Sequence, residues 1–131
     1  MRLNKKRVLI TGASSGIGKA CSILFYDHGA NLVLTDLNED LLCDQNNSIV
    51  SRNNVHIIGG NVSKKNNAQS IVDYTVKKLG GLDILVNCAG VNPRGAPKNY
   101  DFEQIWDWVM DVNLKGTYLM SYFASNEMNK N

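Results

Sequence analysis

Three glycines near the start of the chain, Gly12, Gly16 and Gly18, have a spacing that suits the binding of phosphate groups. The apolar run from Arg7 to Ile10 precedes them, and apolar residues at helical spacing follow them. The glycines therefore lie at a predicted turn from a buried strand into a helix. The first N–H groups of such a helix are free to bind an anion, and the helix dipole stabilises its charge. The segment is thus predicted to hold the phosphates of a dinucleotide.

Each glycine has a predicted role in that turn. Gly12 allows a sharp bend, Gly16 leaves no side chain between backbone and ligand, and Gly18 lets the helix press against the strand. An ordinary glycine-rich surface loop is the alternative, and two later segments argue against it. The residues predicted to contact the cofactor here are Gly12, Ser14, Ser15, Gly16, Ile17 and Gly18.

The two later segments suit the remaining parts of a dinucleotide. Asp36 ends the second apolar run, and a carboxylate there can accept hydrogen bonds from an adenosine ribose. A plain strand-end or helix-capping acid is the alternative role for Asp36. The segment from Asn87 to Gly90 directly follows another apolar run. Its small residues let a ligand approach the backbone, although a tight turn would need them as well.

Together these segments resemble the short-chain dehydrogenase/reductase family. The glycine segment has that family's T-G-x-x-x-G-x-G spacing, and the family's N-N-A-G motif is present with Cys88 in place of its second Asn. The segment around Asn113 resembles the one that carries the family's catalytic Asn. The resemblance runs from about Arg7 to the last residue.

The resemblance implies an α/β fold, an incomplete Rossmann-like doubly wound parallel sheet with strand order 3-2-1-4. Apolar runs that alternate with helical patterns also predict a parallel sheet covered on both faces. A ligand is expected where the strand order reverses, between strands 1 and 4. The four expected strands are Arg7 to Ile10, Asn31 to Asp36, Val55 to Ile58 and Asp83 to Asn87.

Capping residues mark where the helices begin. Asn38 is expected to cap the second helix, and Ser63 or Lys64 to begin the third. Asp101 and Gln104 predict a capping box at the start of the final helix.

The final helix is expected to run to about Glu127, and the tail from Asn126 to Asn131 is expected to fray. Its large apolar residues cover more than one face, so one face would cover the sheet and the other would need a neighbour. In the resembled family this helix contacts the next helix and a second subunit. Self-association, or binding of a longer relative, is therefore expected through the final helix.

The resemblance also assigns residues to the nucleoside parts of the cofactor. Asn61 and Val62 stand where the family usually has an Asp-Val pair that contacts adenine, and the missing charge implies weaker adenine binding. A turn residue is the alternative role for Asn61. Asn87, Ala89 and Gly90 would line the two riboses.

NAD is the predicted cofactor. The carboxylate of Asp36 suits the ribose hydroxyls of NAD and would repel the extra phosphate of NADP. Members of the resembled family that prefer NADP usually carry a basic residue just before the second glycine or just after this acid. Here those positions hold Ser15 and Leu37, so NAD(H) is expected to be preferred.

Asn113 is the one catalytic residue that the resemblance assigns, and its backbone carbonyl would hold a water of the proton relay. The family's catalytic Ser and its Tyr-x-x-x-Lys pair, in which Lys lowers the pKa of the Tyr, are expected beyond the last residue of this chain. Tyr74 and Lys78 have that spacing, but they precede the segment from Asn87, whereas the family's pair follows it. They are therefore not assigned a catalytic role.

Composition limits the other function classes. The 131 residues predict one domain, 1–131, and the net charge of +2 favours neither nucleic acid nor an anionic membrane as partner. No signal peptide is expected, so the cytoplasm is the expected location. Cys21, Cys43 and Cys88 are expected to be reduced thiols, with a reactive Cys88 as the alternative. No metal site is expected, because His28 and His56 are isolated.

The sequence therefore predicts the cofactor-binding half of an NAD(H)-dependent oxidoreductase that acts on a small alcohol or carbonyl substrate of unknown identity. One alternative is a catalytically inactive module for nucleotide binding or subunit association. Another is a non-functional remnant of an interrupted gene. Coding DNA after Asn131 that specifies, in any frame, a strand followed by a Ser and Tyr-x-x-x-Lys would favour such a remnant or a sequencing break.

Overall fold

A computed structural model describes residues 1–131 and contains one parallel sheet with strand order β3-β2-β1-β4. The α/β class and the predicted order are confirmed. The fourth strand is shorter than predicted, because only three of its residues pair with β1. The strands are β1 (Arg7–Thr11), β2 (Asn31–Asp36), β3 (Val55–Gly59) and β4 (Ile84–Val86).

There are five α-helices, and four of them pack against the two faces of the sheet. None of them combines the length and apolarity that crossing a membrane requires. A 3₁₀ turn at Pro93–Gly95 lies between β4 and the fourth helix. The helices are α1 (Gly16–Asp27), α2 (Glu39–Gln45), α3 (Lys65–Leu79), α4 (Phe102–Met110) and α5 (Thr117–Met128).

Side chains alternate between two apolar cores, one on each face of the sheet. Val8 and Ile10 of β1 pack on the face that carries α1 and α2, whereas Leu9 packs on the face that carries α3 and α5. Leu32 and Val33 of β2 alternate in the same way. Both central strands are therefore buried on both sides, as parallel strands with helices on each face usually are.

The predicted helix caps are present. The Asn38 side chain accepts a hydrogen bond from Leu41 N–H at 3.0 Å. Asp101 and Gln104 each accept a hydrogen bond from the backbone N–H of the other, which makes a full capping box. Gly80, at φ +80°, ends α3 in the left-handed conformation that glycine adopts without strain.

The final helix runs from Phe102 to Met128, close to the predicted end at about Glu127. A π-helical turn at Asp111–Gly116, which was not predicted, divides it into α4 and α5. Two contacts with other parts of the chain account for it. The Asn113 amide bonds the backbone of Val91, and Gly116 lies against Val62 so closely that a Cβ would stand 2.6 Å from its Cγ2. The π turn adds room within the helix for both contacts at once.

The C-terminal tail, which is predicted to fray, contacts the rest of the chain in the structure. Helix α5 continues to Met128, and the Asn131 side chain donates to the Leu82 carbonyl at 2.9 Å. The Asn131 side chain also accepts a hydrogen bond from Arg7 at 3.1 Å. These bonds attach the tail to the amino ends of β1 and β4.

Arg7 and Asp83 form a bidentate ion pair beside that tail. The guanidinium donates to both carboxylate oxygens, at 2.9 and 3.0 Å, and Arg7 N–H donates to one of them at 2.9 Å. The hydrogen bonds from Arg7 lower the pKa of Asp83 to about 2. A carboxyl whose pKa is lowered by folding stabilises the folded state only while it is ionised.

We therefore expect the stabilisation of the folded state by the Arg7–Asp83 ion pair to be complete above pH ~4 and to be lost as the pH falls towards ~2. The measurement is the urea midpoint of the parent chain and of Asp83→Asn across that range. The difference in urea midpoint between the parent chain and Asp83→Asn should shrink as the pH falls. The difference between the parent chain and Asp73→Asn, a change on the surface of α3, should not shrink. A parent–Asp83→Asn difference that is constant with pH would contradict the assignment.

Candidate functional site

A cavity of about 420 Å³ opens at the carboxyl ends of the strands, where the strand order reverses. Each strand contributes a lining residue at or just after its end, namely Gly12, Asp36, Gly60 and Cys88. The structure brings most of the predicted cofactor residues together here. Those that line the cavity are Gly12, Ser15, Gly16, Ile17, Asp36, Asn61, Val62, Ala89 and Gly90.

Three predicted cofactor residues do not line this cavity. Ser14 is buried, and its hydroxyl has no hydrogen-bond partner. Gly18 lies underneath the loop, in contact with its backbone. The Asn87 amide donates to the Ser121 hydroxyl at 3.2 Å, on the side of α5. Ligand contacts by these three remain predictions.

The three glycines of the loop meet three different physical requirements. Gly12 has φ +63°, and a Cβ there would stand 2.6 Å from backbone atoms of Cys88 and Ala89. Gly16 has φ +53° but faces open space, with no atom within 4 Å of the position that a Cβ would occupy. A Cβ on Gly18 would overlap the Gly12 carbonyl. Gly12 and Gly18 are thus required for packing, whereas Gly16 leaves room for a ligand.

Substituting Gly16 and Gly18 by Ala should therefore have separable effects. Gly18→Ala is expected to cost about 3 kcal/mol or more of stability, because backbone cannot move aside as a side chain can. Gly16→Ala should cost only about 1 kcal/mol for its left-handed φ, yet weaken nucleotide binding roughly tenfold. Urea unfolding and nucleotide titration of both variants measure these effects. Equal losses of stability in the two variants would contradict this division of roles.

Thr11 is a structural residue of the site to which the sequence patterns assign no separate role. Its hydroxyl accepts hydrogen bonds from Cys88 N–H at 3.1 Å and from Ala89 N–H at 3.0 Å. These bonds join the end of β1 to the turn after β4, and so connect two walls of the cavity. What indicates this role in the sequence is that a residue with a side-chain hydroxyl stands directly before Gly12.

Asp36 lies at the cavity end of β2 with its carboxylate already oriented. One oxygen accepts a hydrogen bond from Ser14 N–H at 3.0 Å, and the other accepts one from Leu37 N–H at 2.8 Å. Each carboxylate oxygen can accept a further bond, which leaves capacity for a diol such as a ribose. The arrangement fits the predicted role of Asp36.

Asn61 lines the cavity, but its side-chain carbonyl is already used within the protein. That carbonyl accepts hydrogen bonds from Ser63 N–H at 2.9 Å and from the Ser63 hydroxyl at 2.6 Å. The oxygen therefore stabilises the turn into α3, which was the alternative role for Asn61. The group that remains for a ligand is the amide nitrogen, a donor.

Asn113 lies in the π turn, and both polar atoms of its side-chain amide bond the backbone of Val91. The side-chain oxygen accepts from Val91 N–H at 2.7 Å, and the side-chain nitrogen donates to the Val91 carbonyl at 2.9 Å. This pair compensates for the low helix propensity of Asn. It also holds the loop after β4 against the final helices. The Asn113 main-chain carbonyl accepts a 3.2 Å hydrogen bond from the Thr117 hydroxyl.

Tyr74 and Lys78 lie on α3, and neither lines the cavity. The Lys78 ammonium stands 5.6 Å from the centre of the Tyr74 ring. Burial, and to a smaller extent the charge of Glu39, raise the pKa of Tyr74, which is the opposite of what a proton-transferring Tyr needs. The structure also contains no group of three or more potential metal ligands.

Comparison with known proteins extends these observations. A family model described as short chain dehydrogenase matches residues 6–131. An uncharacterized oxidoreductase of Thermotoga maritima is 40% identical over 99% of this chain, and xanthoxin dehydrogenase of Arabidopsis thaliana is 36% identical over 97% of it. The crystal structure of a short-chain dehydrogenase/reductase from Brucella melitensis, described as a glucose/ribitol dehydrogenase, matches 98% of the chain with 30% identity and a TM-score of 0.87.

The match covers nearly all of this chain but a smaller share of each relative. The chain covers 51% of the Thermotoga protein, 46% of the Arabidopsis protein and 54% of the Brucella chain. It therefore spans about half the length of the relatives that it matches. Because this half includes all four strands of the sheet described above, the cavity at their ends lies within the matched region.

Proposed function

The chain belongs to the short-chain dehydrogenase/reductase family, and we propose that it binds NAD(H) as the cofactor half of an oxidoreductase acting on a hydroxyl or carbonyl group. The observation that carries this proposal is the cavity, in which the glycine loop and an oriented Asp36 face the same space. Helix α1 begins at Gly16, so its first N–H groups are placed for a pyrophosphate.

The preference for NAD(H) over NADP(H) rests on charge at one end of the cavity. Asp36 is fixed there by two main-chain donors, and its neighbours Ser15 and Leu37 also line the cavity but carry no charge. An added phosphate beside Asp36 would meet a negative charge and no cation among these neighbours. The ribose diol of NAD(H) would instead meet two hydrogen-bond acceptors.

Calorimetric titration of the 131-residue chain with NADH tests the proposal. Saturable binding that Gly16→Ala weakens, with the fold retained by circular dichroism, is the expected result. Leu24→Ala, at an exposed position on α1 outside the cavity, is the matched control and should bind as the parent does. A folded parent chain that gives no heat of binding with NADH would refute the proposal.

Catalysis is expected to need more than these 131 residues. Asn113 alone supplies no donor of the hydroxyl proton, and a positioned acid or base contributes roughly 10²–10⁴ in rate. We expect NADH oxidation with a panel of ketones and sugars to stay at the background rate. Turnover by the parent chain would show this expectation to be wrong if Asn113→Ala abolishes it and Asn126→Ala, on the surface of α5, leaves it unchanged.

A role in subunit association is the second candidate function, and an exposed stripe on the final helices favours it. We define this aromatic stripe as Phe102, Trp106, Leu114, Tyr118 and Tyr122, which are each more than half exposed. They follow one another at intervals of four or eight residues along α4, the π turn and α5. A second copy of the chain, or a longer relative, is the proposed partner.

The proposed location is the cytoplasm. The three cysteines are unpaired, and their odd number and spacing fit a reducing compartment. A small-molecule alcohol or ketone, rather than nucleic acid or a membrane surface, is the proposed substrate. The near-neutral net charge of +2 supports this choice.

A further inference from the structure

The base of a bound dinucleotide is expected to lie against Asn61, which follows strand β3. The strands stand in the order β3-β2-β1, with the glycine loop at the end of β1 and Asp36 at the end of β2. If the loop holds the pyrophosphate and Asp36 holds the ribose, the base lies on the far side of the ribose, at the end of β3. Gly59 of β3 pairs with Asp36, and Asn61 follows two residues later and lines the cavity.

The surroundings of Asn61 suit a flat aromatic base. Leu37, Val62 and Val112 line the same cavity, so apolar side chains are available to the faces of a purine. Three lining residues follow β3, namely Gly60, Asn61 and Val62, and only Asn61 among them has a polar side chain. Asn61 is therefore the side chain at this strand end that can select a base by a hydrogen bond to its edge.

The side chain of Asn61 is held in one orientation. Its oxygen accepts hydrogen bonds from Ser63 N–H at 2.9 Å and from the Ser63 hydroxyl at 2.6 Å. Turning the amide over would set its NH₂ group against the Ser63 N–H, and two donors cannot bond each other. Ser63 is only 6% exposed, so water is not at hand to replace the lost bond. The oxygen of Asn61 therefore stays directed at Ser63 and away from the ligand.

The main chain of Asn61 is fixed as well. Its N–H donates to the side-chain oxygen of Asn67 at 3.0 Å, and its carbonyl accepts a hydrogen bond from Lys64 N–H at 3.0 Å. The side chain thus projects from a turn that is bonded on both sides. The position of its amide nitrogen is set before any ligand binds.

The group that Asn61 offers to the base is consequently a hydrogen-bond donor. Its amide nitrogen makes no hydrogen bond within the chain. Adenine carries an amino group at C6, which is also a donor, whereas hypoxanthine and guanine carry a carbonyl oxygen there, which is an acceptor. A donor that faces another donor leaves both without a partner, and that costs more than a hydrogen bond gains.

We propose that the base subsite of this chain selects a purine with a carbonyl oxygen at C6, so that a dinucleotide with hypoxanthine binds more tightly than NAD(H). Asn61 determines this specificity by donating from its amide nitrogen to the C6 oxygen. The preference rests on the proposed binding of NAD(H), because the pyrophosphate and the ribose place the base. Adenine keeps acceptors in its ring nitrogens, so the expected effect is a preference and not an exclusion.

Calorimetric titration of the 131-residue chain with NADH and with reduced nicotinamide hypoxanthine dinucleotide tests the proposal. The two compounds differ only at C6 and N1 of the purine. The parent chain should bind the hypoxanthine compound roughly tenfold more tightly, the size of one hydrogen bond. Equal affinity, or tighter binding of NADH, would overturn the proposed base preference and leave the proposed function intact. A folded chain that binds neither compound would refute both.

Asn61→Asp exchanges the free donor for an acceptor. One carboxylate oxygen can keep both bonds from Ser63, while the other faces the base and accepts from the adenine amino group. The ratio of the two dissociation constants is the readout, because the added charge acts on both compounds alike. This ratio should reverse, so that NADH binds roughly tenfold more tightly.

Asn126→Asp is the matched control for that variant. It adds the same charge at an exposed position of α5 outside the cavity, and it should keep the preference of the parent chain. Circular dichroism checks that both variants are folded. A folded Asn61→Asp chain that still prefers the hypoxanthine compound would overturn the role of Asn61.

Discussion

Replacing Asp36 by Ala together with Leu37 by Arg is expected to reverse the nucleotide preference of the chain from NAD(H) to NADP(H). The Asp36 carboxylate is fixed by Ser14 N–H at 3.0 Å and by Leu37 N–H at 2.8 Å. A fixed negative charge accepts hydrogen bonds from a ribose diol and repels a phosphate at the same place. Removing it takes away both effects.

The double variant also creates a place for the phosphate. Without Asp36, the N–H groups of Ser14 and Leu37 lose their acceptor and become available to phosphate oxygens. Position 37 lines the cavity and is 62% exposed, so an Arg there can reach the phosphate without being buried. A hydrogen bond to a charged group contributes about 1.5–3 kcal/mol, so each nucleotide's affinity should change by roughly 10–100-fold.

Calorimetric titration with NADH and NADPH measures the change. Asp36→Asn, which keeps one acceptor oxygen but loses the charge, should bind NADH more weakly and lose its discrimination. Leu41→Arg adds the same positive charge at another exposed leucine, on α2, and should leave the preference unchanged. Equal or tighter binding of NADPH by the parent chain, or a double variant that still prefers NADH, would contradict the role of Asp36.

Those parts of the fold that depend on neighbouring residues were predictable from the sequence. Gly18 contacts the backbone of Thr11 and Gly12, which belong to the same strand–turn–helix unit. The cap by Asn38 and the capping box at Asp101 each involve residues three positions apart. The strand order came from the family resemblance rather than from the residues alone.

The unpredicted parts depend on residues that are distant in the sequence. The π turn arises where Asn113 bonds Val91, 22 positions earlier, and the tail is held by a bond between Arg7 and Asn131, 124 positions apart. Local helix patterns contain no information about either partner. Asn61 is an exception, because Ser63, which bonds its side-chain carbonyl, lies only two positions away.

The second large effect concerns the physical state of the chain, which we expect to be an oligomer or an aggregate rather than a stable monomer. Strand β4 pairs only with β1, so its other edge presents unpaired backbone groups beside half-buried apolar side chains. The aromatic stripe adds large side chains that are each more than half exposed. Burial of apolar surface stabilises by ~25 cal/mol per Å², so several hundred Å² left in water forfeits several kcal/mol.

That loss is comparable with the whole stability of a domain of this size, about 5–15 kcal/mol. Light scattering at micromolar concentration, combined with a thermal melt, measures the outcome. Replacing Trp106 and Tyr118 by Lys should reduce the associated fraction, because the charges would have to be desolvated at the contact. Leu24→Lys, at an exposed leucine of α1 outside the stripe, should not reduce it. A parent chain that is a monodisperse monomer with one sharp, cooperative unfolding transition would refute association through this face and this edge.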